Sequence, residues 1–226
     1  MRVRAFAVSA LAAVVGLSAG CQDAGGDDPT GHSRLIDELS SQVAGSAERS
    51  YHAEYQVGDD GTVVTVARST DLGATAYQFP KGRYVVTPDV VLTCVGEEKA
   101  ADCVVDPSGD VPELPPPHVI DQIGAAGFVT ARAAVEWLAE ANAAGGAVAK
   151  SRTTTIAGEN ATCVSVTQED GAELQTCITD TGLLGSFEST IDGEEMYVSL
   201  KSYSKTVDEE QFDIPDDAET SDGASG

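Results

Sequence analysis

Cys163 and Cys177 stand at equal distances from Asp170, and that symmetry limits the fold more than any other stretch of the chain. A hairpin with the loop Glu169-Asp170-Gly171 puts the two cysteines directly opposite each other, with Gly171 free to take the left-handed position of a three-residue loop. The register follows from it. Val164 meets Thr176 and Val166 meets Leu174 on one face, while the other carries Cys163, Ser165, Thr167, Glu173, Gln175 and Cys177. One apolar face and one polar face describe an antiparallel sheet with a single side buried.

The next stretch repeats the pattern about Asp192-Gly193, a two-residue turn signal. Pairing outward sets Ser189 against Met196, Phe187 against Val198 and Gly185 against Leu200. The alternate pairs are Thr190 with Glu195, Glu188 with Tyr197, Ser186 with Ser199, and Leu184 with Lys201. Upstream, residues 51–57 and 62–69 flank Gly58-Asp59-Asp60-Gly61 as a further hairpin, and strands are expected at 74–79, 83–87 and 89–95 between glycine and proline breaks. A strand pair bearing Cys94 and Cys103 and a run of breakers over 107–117 end this half. The segment 211–215 should tuck in one more apolar pair, Phe212 and Ile214.

Helical spacing appears in three places. Over 33–47 the residues Leu35, Ile36, Leu39, Val43 and Ala44 form one stripe. Val119, Ile120 and Ile123 suggest one short turn. Thr130 can cap a longer helix to about 144, with the stripe Ala131, Ala134, Val135, Leu138 and Ala141, flanking Trp137, and Gly145-Gly146 as its stop. The count is about ten strands and about thirty helical residues, an α+β domain with more apolar sheet than its helices obviously cover.

Cys94, Cys103, Cys163 and Cys177 allow three connectivities, of which local pairing is favoured because each pair brackets a turn. Zinc is a poor alternative, since C-x-x-C spacing is absent and His32, His52 and His118 are scattered. Disulfides require an oxidising compartment, and the N-terminus supplies the route. Arg2 and Arg4 precede an uncharged run over 5–17 that is too short to span a bilayer but fits the core of a secretion signal. It ends in Leu17-Ser18-Ala19-Gly20-Cys21, which resembles the lipobox of bacterial lipoproteins. That resemblance implies removal of residues 1–20 and a diacylglyceryl group on Cys21, two acyl chains being enough for stable anchorage. The expected organisation is a tether over 21–32, one domain over 33–215 and a disordered acidic tail over 216–226.

Charge removes one class of partner. Without the leader, 11 basic side chains face 37 acidic ones, a net charge of −26, and nucleic acid phosphates would be repelled. The paired acids, such as Asp27-Asp28 and Glu97-Glu98, read as solvated turns because none lies in a loop of alternating oxygen ligands, so no metal or other cofactor is expected. Catalytic motifs fare no better. Ser202-Tyr203-Ser204-Lys205 matches S-x-x-K, yet it falls in a strand pattern that points positions three apart to opposite faces. His118 has no nucleophile fixed near it, and Asn160-Ala161-Thr162, formally a glycosylation sequon, reads as a turn. The expectation is a non-enzyme.

Three segments echo a known group: Thr155-Ile156-Ala157-Gly158 leading into 162–166, the run 177–184, and Phe212-Asp213-Ile214-Pro215. With the lipobox and the order helix, meander, helical insert, meander, they resemble the actinobacterial LolA/LprG-type (LppX-like) envelope lipoproteins. The resemblance implies a curved antiparallel half-barrel with short helices on its concave face, and an acyl-chain guest between them. On that reading the chain binds or shuttles lipid, with Val164, Val166, Leu174, Phe187, Met196, Val198 and Leu200 as the lining. The competing reading is a tethered binding or sensing module with a closed core, an acidic surface turned to a protein partner and no cavity of ligand size.

Overall fold

The computed structural model describes residues 29–96, 101–109, 113–144, 146–191, 194–214 and 219–220. Cys21 and the Asp192-Gly193 turn lie outside the described residues. Among the described ones, no helix is long and apolar enough to cross a membrane.

Two meanders make one sheet. β1 (Tyr51–Val57), β2 (Thr62–Ser69), β3 (Ala74–Phe79), β4 (Gly82–Val86), β5 (Val90–Val95) and β6 (Asp102–Pro107) run consecutively, each antiparallel to its neighbour. β7 (Val148–Ile156), β8 (Glu159–Thr167), β9 (Glu173–Thr179), β10 (Leu184–Ile191) and β11 (Glu194–Ser204) form the second set. β1 joins the two by pairing with β11 across a bulge at Glu54/Tyr55. The product is a curved, open antiparallel half-barrel with short helices on its concave face.

The strand registers reproduce the sequence pattern. Cys163 pairs with Cys177, Val164 with Thr176 and Val166 with Leu174, and Gly171 takes φ 86° in the loop. Phe187 faces Val198 and Ser189 faces Met196 as the turn signal requires. Both local disulfides form, Cys94 with Cys103 and Cys163 with Cys177. The polar face of the second meander is nonetheless not wet throughout, because Cys163 and Cys177 are each only 1% exposed. Ile156 covers this spot from β7, its Cδ1 lying close to Gly185, the neighbour of Cys177.

α1 (Pro29–Ser46) starts before its amphipathic stripe, so residues 29–32 are helix, a correction to the tether expected there. Ile36 and Leu39 carry its burial. α2 (Pro117–Ile123) is seven residues rather than one turn, closed by Gly124 in the left-handed region, and it packs so tightly on β4 that a side chain at Gly82 would overlap Ile123. α3 (Ala131–Ala143) is capped by Thr130, whose hydroxyl accepts from the Ala133 N–H at 3.2 Å. Its small stripe lets it sit low on β8–β10: Ala134 and Leu138 are fully buried, and Trp137 meets Phe187 with ring centroids 5.5 Å apart. Burying Leu138 alone contributes about 1.5–3 kcal/mol.

The middle strands of the first meander, β2 to β5, are buried on both sides. On its convex face Ala67, Ala74, Ala76, Val85, Leu92 and Cys94 form a second small core under Phe212, held by a 3₁₀ turn at Glu209–Phe212. Of the apolar pair expected there, Phe212 is buried and Ile214 is 39% exposed. Glu219–Thr220 pairs in parallel with Val104 and Val105 as a two-residue strand, β12, so this part of the tail read as disordered is structured.

Candidate functional site

At one end of β1–β4 the strands leave a cleft of about 610 Å³ beneath the last turn of α1 and the start of α3. Its wall is built in rungs across the sheet. Tyr51, Arg68, Thr75 and Val86 are successive cross-strand partners on β1 to β4, and all four are half-buried. The next rung inward is Ala53, Val66, Tyr77 and Tyr84, and every member is buried. A lip that can meet water thus stands in front of a dry floor. Because side chains two apart in a strand share a face, each strand supplies one residue to each rung.

The floor is aromatic and Phe128 is its hub. This residue lies in the loop between α2 and α3, where Gly127 takes φ 79° and the Phe128 N–H bonds back to the Ala125 carbonyl at 3.0 Å. Its ring meets those of Tyr55, Phe79 and Tyr77 edge-on at centroid distances of 5.9, 5.9 and 6.4 Å. Burial pushes the Tyr51 phenol up to about 12 and those of Tyr55 and Tyr77 well above the ordinary tyrosine value.

The rim holds the charges. Glu113 Oε2 lies 3.3 Å from Arg132 Nε and accepts from the Thr130 hydroxyl at 3.4 Å. Partial burial raises the Glu113 pKa against the lowering effect of Arg132. Across the cleft, Arg68 Nε donates to the Ala47 carbonyl at 2.9 Å and Nη1 to the Thr75 hydroxyl at 2.8 Å. Such a cleft can bind and orient a molecule that is apolar at one end and polar at the other. Among the described residues, no group of three or more His, Cys, Asp or Glu is placed to hold a metal ion.

The lining expected from sequence lies elsewhere. Val164, Val166, Phe187, Val198 and Leu200 are at most 3% exposed and belong to the core, and of these five Val166 also borders a separate depression of about 500 Å³ between α3 and the β8–β9 loop. Leu174 and Met196 are half-buried: Leu174 lines that depression beside Trp137, and Met196 lines a polar groove of about 510 Å³ beside Glu195 and Tyr197. None of the seven reaches the cleft at β1–β4, because α3, with its small stripe, packs down on β8–β10 and separates them from it. The residues that do line it were missed. Their signal was an arginine at the end of the alternating row Val64, Val66, Arg68, where an apolar side chain would continue the pattern. Phe128, in a loop, left no periodic signal. Ser202, from the S-x-x-K match, sits in β11 and donates to Glu54 Oε2 at 2.7 Å, and His118 is exposed on α2. Asn160 is the second residue of β8, paired with Thr155, and the turn is Ala157-Gly158.

Two disulfides in one small domain belong to an oxidising, extracytoplasmic compartment. No protein-family model matches the chain, and no curated protein does. Among solved structures, the MucA/MucB complex of Pseudomonas aeruginosa is 15% identical over 79% of this chain and 61% of that one, with a TM-score of 0.43. A crystal structure of MucB is 15% identical over 81% and 65%, with a TM-score of 0.44. MucB in complex with MucA(peri) is 14% identical over 80% and 60%, with a TM-score of 0.38. The chain spans less than two thirds of each of these proteins.

Proposed function

We propose that this is a non-catalytic binding lipoprotein of the LolA/LprG type, held at the outer face of the cell membrane by a diacylglyceryl anchor on Cys21, and that it takes one lipid-like amphiphile into the cleft at the end of β1–β4. The observation that carries this reading is the cleft itself. Its volume of about 610 Å³ falls in the roughly 300–1,000 Å³ range of small-molecule sites, with an aromatic floor and polar groups from Ser46, Arg68, Thr75, Glu113, Thr130 and Arg132 around it. The closed-core alternative required the absence of such a space. The acidic surface contributes nothing to membrane attachment, which is left to the acyl chains of the anchor.

The test uses the mature chain with Cys21→Ser, so that its own anchor cannot enter the site. Native mass spectrometry should show a co-purifying lipid, and the stripped protein should take up a naphthylamine dye with a blue-shifted emission. Val43→Trp with Val86→Trp, both at half-buried positions lining the cleft, should abolish uptake with little change in melting temperature. A protein that purifies empty and leaves the dye in water is not a carrier. The anchor is tested separately, as the mass of a diacylglyceryl group on Cys21 that Cys21→Ser removes.

A further inference from the structure

The lip of the cleft is not neutral. In a chain of 37 acidic and 13 basic side chains, Arg68 has no carboxylate within ion-pairing distance among the described residues. Arg132, the other rim arginine, is already matched to Glu113. A half-buried guanidinium without a counter-charge loses hydration that two neutral acceptors, the Ala47 carbonyl and the Thr75 hydroxyl, only partly replace. Of its five N–H donors those two bonds occupy two. The same bonds fix the guanidinium between the end of α1 and β3, one rung in front of the buried Val66 and Tyr77. A cation held in place at the mouth of an aromatic floor has the chemistry of a head-group clamp.

We infer that the cleft selects anionic amphiphiles, with a carboxylate, sulfate or phosphate head on Arg68 and the hydrocarbon chain on the floor of Tyr55, Tyr77 and Phe128. The inference rests on the amphiphile reading of the cleft and adds to it the sign of the head. That sign runs against the protein as a whole. With a formal net charge of −24, the surrounding field favours cationic ligands, so a preference for an anion has to come from a local group.

Three probes share one chain and differ in the head: dodecanoate, dodecanol and dodecylammonium. Each is titrated below its self-association concentration against dye-loaded Cys21→Ser protein. Dodecanoate should bind about tenfold more tightly than dodecanol, the increment of one charge-assisted contact, and dodecylammonium should bind most weakly. Arg68→Gln should bring dodecanoate and dodecanol to within about twofold, with most of the change a loss of dodecanoate affinity. Removing the matched pair together, Arg132→Gln with Glu113→Gln, should keep the preference at about tenfold or more, and Arg68→Lys should keep part of it. Equal binding of the three by the wild type, tighter binding of the ammonium, or a preference that survives Arg68→Gln overturns the assignment of the head. Displacement of the dye by inorganic phosphate alone would make this a simple anion site and overturn it too. Should Arg68→Gln fail to fold, the wild-type ranking and Arg68→Lys still decide. Failure of all three probes and of the dye would instead refute amphiphile binding itself, a separate result.

Discussion

Gly182 lies so close to the main-chain carbonyl of Gln42 that a Cβ on it would overlap that oxygen. The turn between β9 and β10 therefore receives the end of α1 only because position 182 has no side chain, and its φ of 84° suits glycine as well. This junction matters for the site, since Gly182, Leu183 and Leu184 line the cleft from one side and Val43 and Ala47 of the α1 end from another.

Gly182→Ala should cost both the left-handed backbone penalty of about 1–2 kcal/mol and the docking of α1. Gly158→Ala has a similar φ, 83°, but nothing within 4 Å of the added methyl, and should cost only the backbone penalty. Urea denaturation of the two variants isolates the junction. Equal midpoints would show that α1 does not depend on this approach.

Ala157 takes φ 49° beside Gly158 in the two-residue turn joining β7 to β8, a conformation that non-glycine residues other than asparagine and aspartate rarely hold. Ala157→Asn produces the Asn-Gly pair that type I′ turns favour and should raise stability by about 0.5–1 kcal/mol, read as a higher melting temperature.

The disulfide between Cys163 and Cys177 closes a loop with a sequence separation of 14, and the chain-entropy argument gives it about 3 kcal/mol. Replacing both cysteines by alanine should lower the denaturation free energy by about that amount. The same replacement at Cys94 and Cys103, separated by 9, should cost slightly less. The comparison is made on oxidised protein at one pH.

Alkaline stability should report on the floor of the cleft. Tyr55 and Tyr77 keep their protons in the fold well past the ordinary value of 10.0, whereas the unfolded chain gives them up near it. The unfolded state therefore loses protons that the folded state retains, and stability, flat below about pH 10, should fall above it by up to about 1.4 kcal/mol per pH unit for each phenol. Denaturation midpoints between pH 9 and 11.5 measure the slope, which Tyr55→Phe with Tyr77→Phe should flatten. Absorbance at 295 nm should show these two phenolates appearing together with unfolding.

Phe212 is the lid of the second core, covering Ala67, Ala74 and Val85 on the convex face. Phe212→Ala should cost about 3 kcal/mol, at the lower end of the range for phenylalanine because the site lies near the surface. Binding in the cleft, on the opposite face of the sheet, should be unchanged apart from that loss. A dye affinity that falls with stability held constant would mean the two faces are coupled.

The half-barrel was legible because most of its strand pairing is local. The Cys163/Cys177 hairpin and the Gly58-Asp59-Asp60-Gly61 turn each fix a register, and alternation then assigns the faces. α3 was legible from Thr130 and its alanine stripe. What sequence could not supply was the pairing of β1 with β11, more than 140 residues apart, or the double burial of β2–β5 under Phe212. The cleft depends on both kinds of information. Its floor rows are plain in the strands, but where the concave face is covered and where it is left as a cleft was settled by the helices. α3 has side chains small enough to close down on β8–β10, and α1 is held off β1–β4 where it crosses the Gly182 turn. Periodicity determines which face of each strand is apolar, because that is a local property of the backbone. Which of those faces is filled is a matter of long-range packing, and only the tertiary structure decided it.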